Sequence, residues 1–520
     1  MFGIFAIGSP MHTLIINQKN YNIQKSQNYT FENVILCDQV SLSNLSHNIK
    51  IESSTNVSQT HASDIWGYTS ESGNEYAVIS LTGSIAFVNI TDPFHSHIVS
   101  SKQIAESDWY DIKSYKTFVY VSSEASSYWG VYVFNVTDID NGYVHDITPS
   151  GLDNQKRAHN LINNQNYMYR VGTQINDQKA NGFYIYELET NPLMNDSHAI
   201  LYKIPEIEGR RGDDGDEYVH DAHIITYKSN HPYAYQTIAY ACLETSFGVF
   251  NMTNKSDIHV LSKVIYPGIS YAHQVWTKWP YAYLNDEMLI ENRNSMQTTV
   301  FVFDVSNLSN VLFIRSFTNG IGASTHNLFI RRNFIYQANY ASGVRVYEMV
   351  DPENPEEVAF FDTHPQHDNG EFVGLWGVYP FFESDVFVGS DIENGLFVWK
   401  LNFSSNLLNA SKMDTNETST NETSTNETST NETSTNETST KNNDQNVFIF
   451  SICIISSVLF IICIVFVYVK TISPKNKLRV NPHIQRRIET HTQLHKKNKV
   501  LDIHNTHVNT RSRADVRRGI

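Results

Sequence analysis

The chain has 520 residues, of which 18% are charged and 12% are aromatic, with 29 Tyr and 28 Phe. This much aromatic and aliphatic surface can fill a large core, which excludes a largely disordered chain and favours strands over helices. The last 51 residues hold 13 Lys/Arg and three acids, so residues 1–469 keep 51 acidic and 25 basic side chains, which excludes nucleic acid as a partner of the main body.

The N-terminal residues 1–24 are predicted to be a weak or truncated signal-like segment. They begin MFGIFAIGSPMHTLII, which is mildly apolar but lacks both a basic start and a long apolar run. Shortly afterwards, Asn33–Val40 (NVILCDQV) has the composition of a strand.

Residues 60–401 contain seven copies of a repeat that comprises three predicted strands. In each copy the third strand begins at a turn residue, and apolar residues then alternate with others along it. The third strands begin at Gly83, Gly130, Gly182, Gly248, Thr298, Gly343 and Gly395. The repeat length of about 40–65 residues and the absence of long amphipathic helices predict an all-β, seven-bladed β-propeller over residues 25–405.

The last copy ends after its third strand at Leu401, so a closed ring lacks one strand. We predict that Asn33–Val40 fills this position in blade seven and joins the two ends of the domain. Cys37 would then lie in blade seven and Cys242 in blade four, across the ring, which makes a disulfide between them unfavourable.

Residues 406–446 are predicted to be a glycosylatable stalk, because they include five tandem TNETS copies over residues 415–440 and almost no apolar surface to bury. Acceptor triplets for N-glycosylation occur at Asn28, Asn44, Asn56, Asn89, Asn135, Asn195, Asn251, Asn254, Asn307, Asn402, Asn409, Asn416, Asn421, Asn426, Asn431 and Asn436. Their density indicates a chain that passes through a secretory compartment.

Residues 447–469 form an uncharged run of 23 residues, long enough at about 1.5 Å per residue to cross a hydrocarbon core of roughly 30 Å. Residues 470–520 are basic from Lys470 onward. The positive-inside rule therefore predicts a single-pass membrane protein with a cytoplasmic tail and an extracellular or lumenal propeller.

Several phrases resemble the choice-of-anchor B family, which is related to LVIVD-repeat propellers of secreted and surface proteins. They are AHNL, VHDAH, AHQ, LNDE, THNLFI, YQANYASGVRVYE, VAFFDT and SDIENGLFVWKL. The resemblance covers about residues 33–401 and implies a surface-displayed propeller with little defined chemistry. The sequence departs from it at Arg170, Tyr186 and the acidic loop 209–218.

A candidate site follows from the predicted strand order, because the innermost strands begin, and the second strands end, at the same face near the axis. Trp66, Trp109 and Trp376 open the first strands of the other three units. The candidate residues of this axial funnel are His159, His223, His273, His326, Glu124, Glu244, Asp286, Glu287 and Asp391.

Imidazoles and carboxylates that converge on one funnel can bind a divalent metal, with His223 and His273 as the candidate ligands. The alternative is structural: a His at a repeated strand start can bond to a neighbouring loop and fasten the blades. We therefore expect a binding, adhesion or receptor-like module with an extracellular protein or glycan ligand. The alternative function is a metal-dependent hydrolase at the axis.

Overall fold

The computed structural model describes residues 29–46, 60–125, 130–149, 156–175, 178–179, 182–204, 218–288, 297–366 and 370–403. These residues form seven antiparallel sheets in chain order, each a blade of at least four strands. The predicted all-β, seven-bladed β-propeller is therefore confirmed.

The strands of each blade are given from the inside outward. Blade 1 comprises Ala62–Thr69, Glu75–Leu81, Ser84–Asn89 and His97–Gln103. Blade 2 comprises Tyr110–Tyr115, Phe118–Ser123, Val131–Asn135 and His145–Asp146. Blade 3 comprises Lys156–Asn164, Tyr167–Ile175, Phe183–Glu187 and Ile200–Tyr202, with the short strand Gln178–Lys179 also paired to its second strand.

The second half of the ring repeats this order. Blade 4 comprises Asp221–Thr226, Thr237–Cys242, Phe247–Asn251 and His259–Val264. Blade 5 comprises Ala272–Lys278, Tyr281–Asp286, Val300–Asp304 and Leu312–Phe317. Blade 6 comprises Leu328–Arg331, Phe334–Ala338, Val344–Glu348, Glu356–Asp362 and Thr30–Glu32. Blade 7 comprises Leu375–Tyr379, Val386–Asp391, Gly395–Leu401 and Val34–Val40.

The ring closes as the sequence predicts. Val34–Val40 pairs antiparallel with Gly395–Leu401, from Val34 opposite Leu401 to Val40 opposite Leu396. The structure adds a strand that the sequence did not indicate, because Thr30–Glu32 extends the outer edge of blade 6. Asn33 turns the chain from one blade to the next with a left-handed φ of 53°, a conformation that Asn tolerates better than most residues.

Helical structure in the described part of the chain is short. The α-helix Leu42–Leu45 follows the closing strand, and 3-10 turns occur at Ile139–Asn141 and Asp196–His198. The remaining core is made of aliphatic and aromatic side chains packed between neighbouring sheets, with Trp399 and Phe87 among the largest that are fully buried. Burial of both faces of each sheet explains why the repeats are so rich in Tyr, Phe and Val.

Two faces of the propeller are distinguished by strand direction. Inner strands begin, and second strands end, at the face that we call the mouth face, while third strands end at the opposite face. Connections between blades lie on the mouth face.

Several predicted segments lie outside the described residues. They are the signal-like segment 1–24, most of the acidic loop 209–218, the stalk 406–446, the membrane helix 447–469, the basic tail 470–520 and the acceptors Asn28, Asn56, Asn409, Asn416, Asn421, Asn426, Asn431 and Asn436. Within the described ranges, no helix has the length and apolar character that a membrane crossing needs.

Candidate functional site

Four imidazoles lie side by side near the axis at the mouth face, and this region is called the mouth below. They come from four consecutive blades: His159, His220, His273 and His326. Adjacent ring centroids are separated by 4.3, 4.4 and 4.5 Å in that order. The Trp376 ring of blade 7 continues the arc, with its centroid 4.7 Å from that of His326.

The arc forms because each of these residues lies near the start of an inner strand, from two residues before it (His326) to the fourth residue within it (His159). In blades 5 and 7 the ladder to the second strand shifts register at this point, between Ala272 and Gln274 and between Leu375 and Gly377. A β-bulge of this kind re-aims the side chain of its extra residue. The bulges therefore release His273 and Trp376 from the regular alternation of their strands.

Two carboxylates from the ends of second strands contact the imidazoles. The His159 Nδ1 and Glu124 Oε1 atoms are 2.5 Å apart. Glu287 lies between two rings, with 3.7 Å from its Oε2 to His273 Nε2 and 3.9 Å from its Oε1 to His326 Nε2. The side chain of Glu287 is only 12% exposed.

Tyrosine hydroxyls hold the mouth carboxylates in place. Tyr340 donates to Glu287 Oε1 at 2.6 Å, and Tyr271 donates to Glu244 Oε1 at 3.1 Å. Glu244 and Tyr340 both have left-handed backbones, with φ of 59° and 43°. Both residues lie in the turns that join the second and third strands of their blades.

Two of the histidines also fasten neighbouring blades. The Nδ1–H of His220 donates to the backbone carbonyl of His273 at 2.9 Å, and that of His326 donates to the carbonyl of Trp376 at 2.6 Å. A neutral imidazole carries one N–H, and in both bonds that hydrogen is on Nδ1. The Nε2 atom of each ring therefore carries a lone pair and can act as an acceptor or a metal ligand. The structural role and a ligand-binding role are thus compatible in one residue.

The electrostatics of the arc divide the histidines into two kinds. Burial lowers the pKa of both His273 and His326 to about 3, so both are neutral at physiological pH. Burial, followed by the charges of His159 and His273, lowers the pKa of His220 well below its ordinary value. Burial alone would also lower the pKa of His159, but the hydrogen bond and charge of Glu124 outweigh it and raise the pKa.

A second polar layer lies one residue further along the inner strands. Asp64 Oδ2 accepts a hydrogen bond from the Ile112 N–H at 2.7 Å, and Asp111 Oδ2 accepts one from the Leu161 N–H at 2.8 Å. Gln274 does the same for the Leu328 N–H at 2.5 Å. Each bond joins one inner strand to that of the next blade.

One buried cation lies within this layer. The Lys113 ammonium is 2.7 Å from Asp111 Oδ1 and 4.2 Å from the centroid of the Trp66 ring. Burial would lower the pKa of Lys113, but the charges of Asp111 and Asp64 outweigh it and raise the pKa. Burial raises the pKa of Asp64 to about 8 and that of Asp221 to about 7, since one ammonium cannot neutralise three carboxylates.

Three of the predicted site residues lie elsewhere. His223 stacks on Trp276 with ring centroids 4.0 Å apart, and its Nδ1 atom is 2.8 Å from the Thr277 hydroxyl. The position in the arc that was predicted for His223 is occupied by His220. Asp286 accepts hydrogen bonds from the backbone N–H groups of residues 270 and 271, and Asp391 from those of 393 and 394. Both aspartates therefore support turns.

The other predicted residues gather at the mouth: His159, His273, His326, Glu124, Glu287 and Glu244. Trp376 also lies there, whereas Trp66 is buried in the second layer. The sequence analysis assigned the blade 4 position to His223 instead of His220, although Val219-His220-Asp221 follows the same order as Ala158-His159-Asn160 and Ala272-His273-Gln274. The sequence analysis also did not identify the second polar layer. A polar residue follows each of these three histidines, and this pattern could have indicated the layer.

No protein-family model matches the chain, and no curated protein matches it. Among solved structures, the β-propeller domain of Cps50 (Swd1) from Myceliophteria thermophila is 7% identical with a TM-score of 0.42, covering 66% of this chain and 99% of that one. A Bacteroides fragilis protein assigned to the 6-phosphogluconolactonases is 14% identical with a TM-score of 0.41, covering 65% and 90%. The computationally designed protein Ika8 is 10% identical with a TM-score of 0.40, covering 66% and 96%. The fold assignment depends on the seven sheets themselves, and membership of the choice-of-anchor B family stays a prediction.

Proposed function

We propose that this chain is a membrane-anchored, surface-displayed binding module that engages an extracellular protein or glycan with its mouth face. The observation that carries the proposal is the distribution of N-glycosylation acceptors over the two faces of the propeller. A binding surface has to stay free of attached glycans, which are bulky and hydrated.

Seven of the eight acceptors in the described residues belong to the opposite face. Asn89, Asn135 and Asn251 are the last residues of third strands. Asn195, Asn254 and Asn307 lie in connections to fourth strands, and Asn402 follows the last strand of blade 7. Among the described acceptors, only Asn44, beside the outermost strand of blade 7, is on the mouth side.

The route of the chain agrees with this asymmetry. The last strand of blade 7 runs from Gly395 at the mouth face to Leu401 at the opposite face. An anchor encoded after residue 403 would therefore be joined to the chain at the glycosylatable face.

The mouth face also offers the side chains that binding surfaces use. Trp109 and Phe372, both in connections between blades, are 47% and 39% exposed. Phe372 packs edge-on against Tyr340 with centroids 4.9 Å apart, which links the exposed rim to the buried polar mouth. Aromatic side chains with adjacent polar groups are enriched at the centres of interfaces.

An added glycan tests which face binds. The double change Glu371→Asn/Val373→Thr creates an acceptor on the mouth face, and Tyr143→Thr creates a matched acceptor at Asn141 on the opposite face. Each full-length variant is expressed in a glycosylating cell, reconstituted in labelled nanodiscs and applied to arrays of glycans and extracellular protein domains. We expect the first variant to lose the wild-type signal and the second to keep it.

Occupancy of both new acceptors is checked by mass spectrometry before binding is compared. Equal binding by the two glycosylated variants, or loss of binding only in Tyr143→Thr, would overturn the proposal. Removal of N-glycans by a glycosidase should restore binding to Glu371→Asn/Val373→Thr, which separates shielding from damage to the fold.

A further inference from the structure

We propose that His273, Glu287 and His326 form a binding site for one divalent transition-metal ion of the zinc class at the mouth. The inference rests on the proposed function, because the metal would lie in the same mouth and give a partner a charged anchoring point. It goes beyond the proposed function because binding by surface complementarity alone would not require a metal ion.

The distances suit such an ion. The potential ligand atoms of the three side chains all lie within 4.8 Å of one another. Tetrahedral zinc with ligand bonds of about 2.0–2.2 Å separates its ligand atoms by about 3.4 Å. Glu287 Oε2 is 3.7 Å from His273 Nε2 and Glu287 Oε1 is 3.9 Å from His326 Nε2, so the carboxylate lies close to both rings. The ligand atoms, up to 4.8 Å apart, would move closer together when the ion binds.

The surroundings of two ligands resemble the outer shell of a metal centre. His326 donates its Nδ1–H to the Trp376 carbonyl, which directs the Nε2 lone pair toward Glu287. Tyr340 donates to Glu287 Oε1 and fixes the carboxylate. Metal-bound histidines usually donate their second nitrogen to a carbonyl or carboxylate, and metal-bound carboxylates are themselves hydrogen-bonded.

The donor set selects the class of ion. Calcium and magnesium prefer oxygen ligands, whereas two imidazole nitrogens and one carboxylate suit zinc and its neighbours in the first transition row. Three protein ligands leave at least one coordination position for water or for a carboxylate or hydroxyl of a partner. The metal would thus allow a glycan or an acidic protein group to bind at the axis.

The test uses the full-length chain, purified in detergent, stripped with a chelator and titrated with Zn²⁺ and with Co²⁺. We expect one equivalent of Zn²⁺ by elemental analysis and, with Co²⁺, visible absorption bands of a four- or five-coordinate ion. His273→Gln/His326→Gln should abolish the bands, and Glu287→Gln should weaken Co²⁺ affinity at least tenfold. His223→Gln, which changes a buried imidazole outside the arc, should leave both unchanged.

Histidines in the C-terminal residues provide the main competing site: His483, His491, His495, His504 and His507. Metal bound there would remain in His273→Gln/His326→Gln, so equal binding by that variant and the wild type would overturn the proposal, as would a wild type that binds no metal. Circular dichroism confirms that each variant is folded. A wild type that binds no metal but keeps its array binding would overturn the metal site and leave the proposed binding function intact.

Discussion

Asp64 in blade 1 accepts a hydrogen bond from the backbone N–H of Ile112 in blade 2, at 2.7 Å. Asp111 repeats the relationship between blades 2 and 3, and Gln274 repeats it between blades 5 and 6. The inner strands of a propeller diverge from a common axis and do not pair with each other as a ladder. A side chain that reaches the next inner strand therefore supplies a direct polar link between neighbouring blades.

The same aspartate makes stability depend on pH. Burial and the charge of Asp111 raise the pKa of Asp64 to about 8 in the folded protein, above its ordinary value of 3.8. The unfolded chain thus loses this proton at lower pH than the folded one, so the contribution of Asp64 to stability is full below about pH 4 and falls as the pH rises toward 8. The slope from one such group is at most about 1.4 kcal/mol per pH unit.

Asp64→Asn should remove this slope while its amide oxygen still accepts from Ile112. We expect the free energy of unfolding of the variant, relative to the wild type, to rise between pH 5 and pH 8. Urea denaturation followed by tryptophan fluorescence at the two pH values measures it. Glu71→Gln, at an exposed carboxylate of blade 1, is the control and should not change the pH dependence. A relative stability of Asp64→Asn that stays constant or falls with pH would contradict the prediction.

Closure of the ring predicts that a substitution near the N-terminus weakens the whole domain. Leu36 is buried in the closing strand opposite Trp399. Leu36→Ala should cost about 2–5 kcal/mol through lost burial and the cavity that remains. Because the closing strand joins both ends of the domain, we expect one cooperative unfolding transition at lower urea concentration.

The control for ring closure is Val350→Ala, since Val350 is largely exposed and should change stability by no more than about 0.5 kcal/mol. Fluorescence and circular dichroism should report the same midpoint. A separate early transition in Leu36→Ala, with the rest of the protein unfolding as in the wild type, would show that the closing strand is not coupled to the ring.

The blades and their closure were predictable because each is signalled by local patterns. Period-two alternation gives the strands, turn residues give their ends, and a repeat that stops one strand short requires a strand from elsewhere. Thr30–Glu32 was not predictable in the same way. It pairs with the outer strand of blade 6, which already has four strands, so no strand is missing from the repeat that would predict it.

The candidate site was only partly predictable because it depends on register. Blade 4 has two histidines three residues apart, His220 and His223, and only the orientation at the strand start decides which one faces the axis. Asp286 and Glu287 pose the same problem, since adjacent residues of a strand point to opposite sides. The bulge at His273 changes that alternation locally, and nothing in the sequence marks it.

The two cysteines of the propeller should be unreactive in the folded protein. Cys37 and Cys242 are buried free thiols, in blades 7 and 4, and burial raises the pKa of Cys37 to about 12 and that of Cys242 well above its ordinary value. The thiolate is the reactive form, so both should resist a thiol reagent such as DTNB at pH 8. We expect both to react only after denaturation.

Mass spectrometry after alkylation under native and denaturing conditions identifies which cysteines react. Cys453 and Cys463 are scored separately because they belong to the segment 447–469. A disulfide between Cys37 and Cys242, or rapid native alkylation of either, would contradict the prediction and the positions of these blades in the ring.

The last prediction concerns Arg170, a buried cation of blade 3. Its guanidinium is 2% exposed and donates to Asp196 Oδ2 at 3.0 Å, while the Tyr186 hydroxyl donates to Asp196 Oδ1 at 2.5 Å. Arg170→Met leaves the carboxylate buried without its cation, which should cost about 3–5 kcal/mol of stability. Arg170→Met/Asp196→Leu removes both charges and should recover much of that loss, because no uncompensated ion remains.

Chemical denaturation of the wild type, both single variants and the double variant gives the coupling energy between the two side chains. Lys116→Met, which breaks a solvent-exposed pair with Glu189, serves as the control and should change stability little because water screens that pair. Additive losses in the double variant would mean that the two charges act independently. Such a result would contradict the prediction that Arg170 and Asp196 stabilise blade 3 as a buried ion pair.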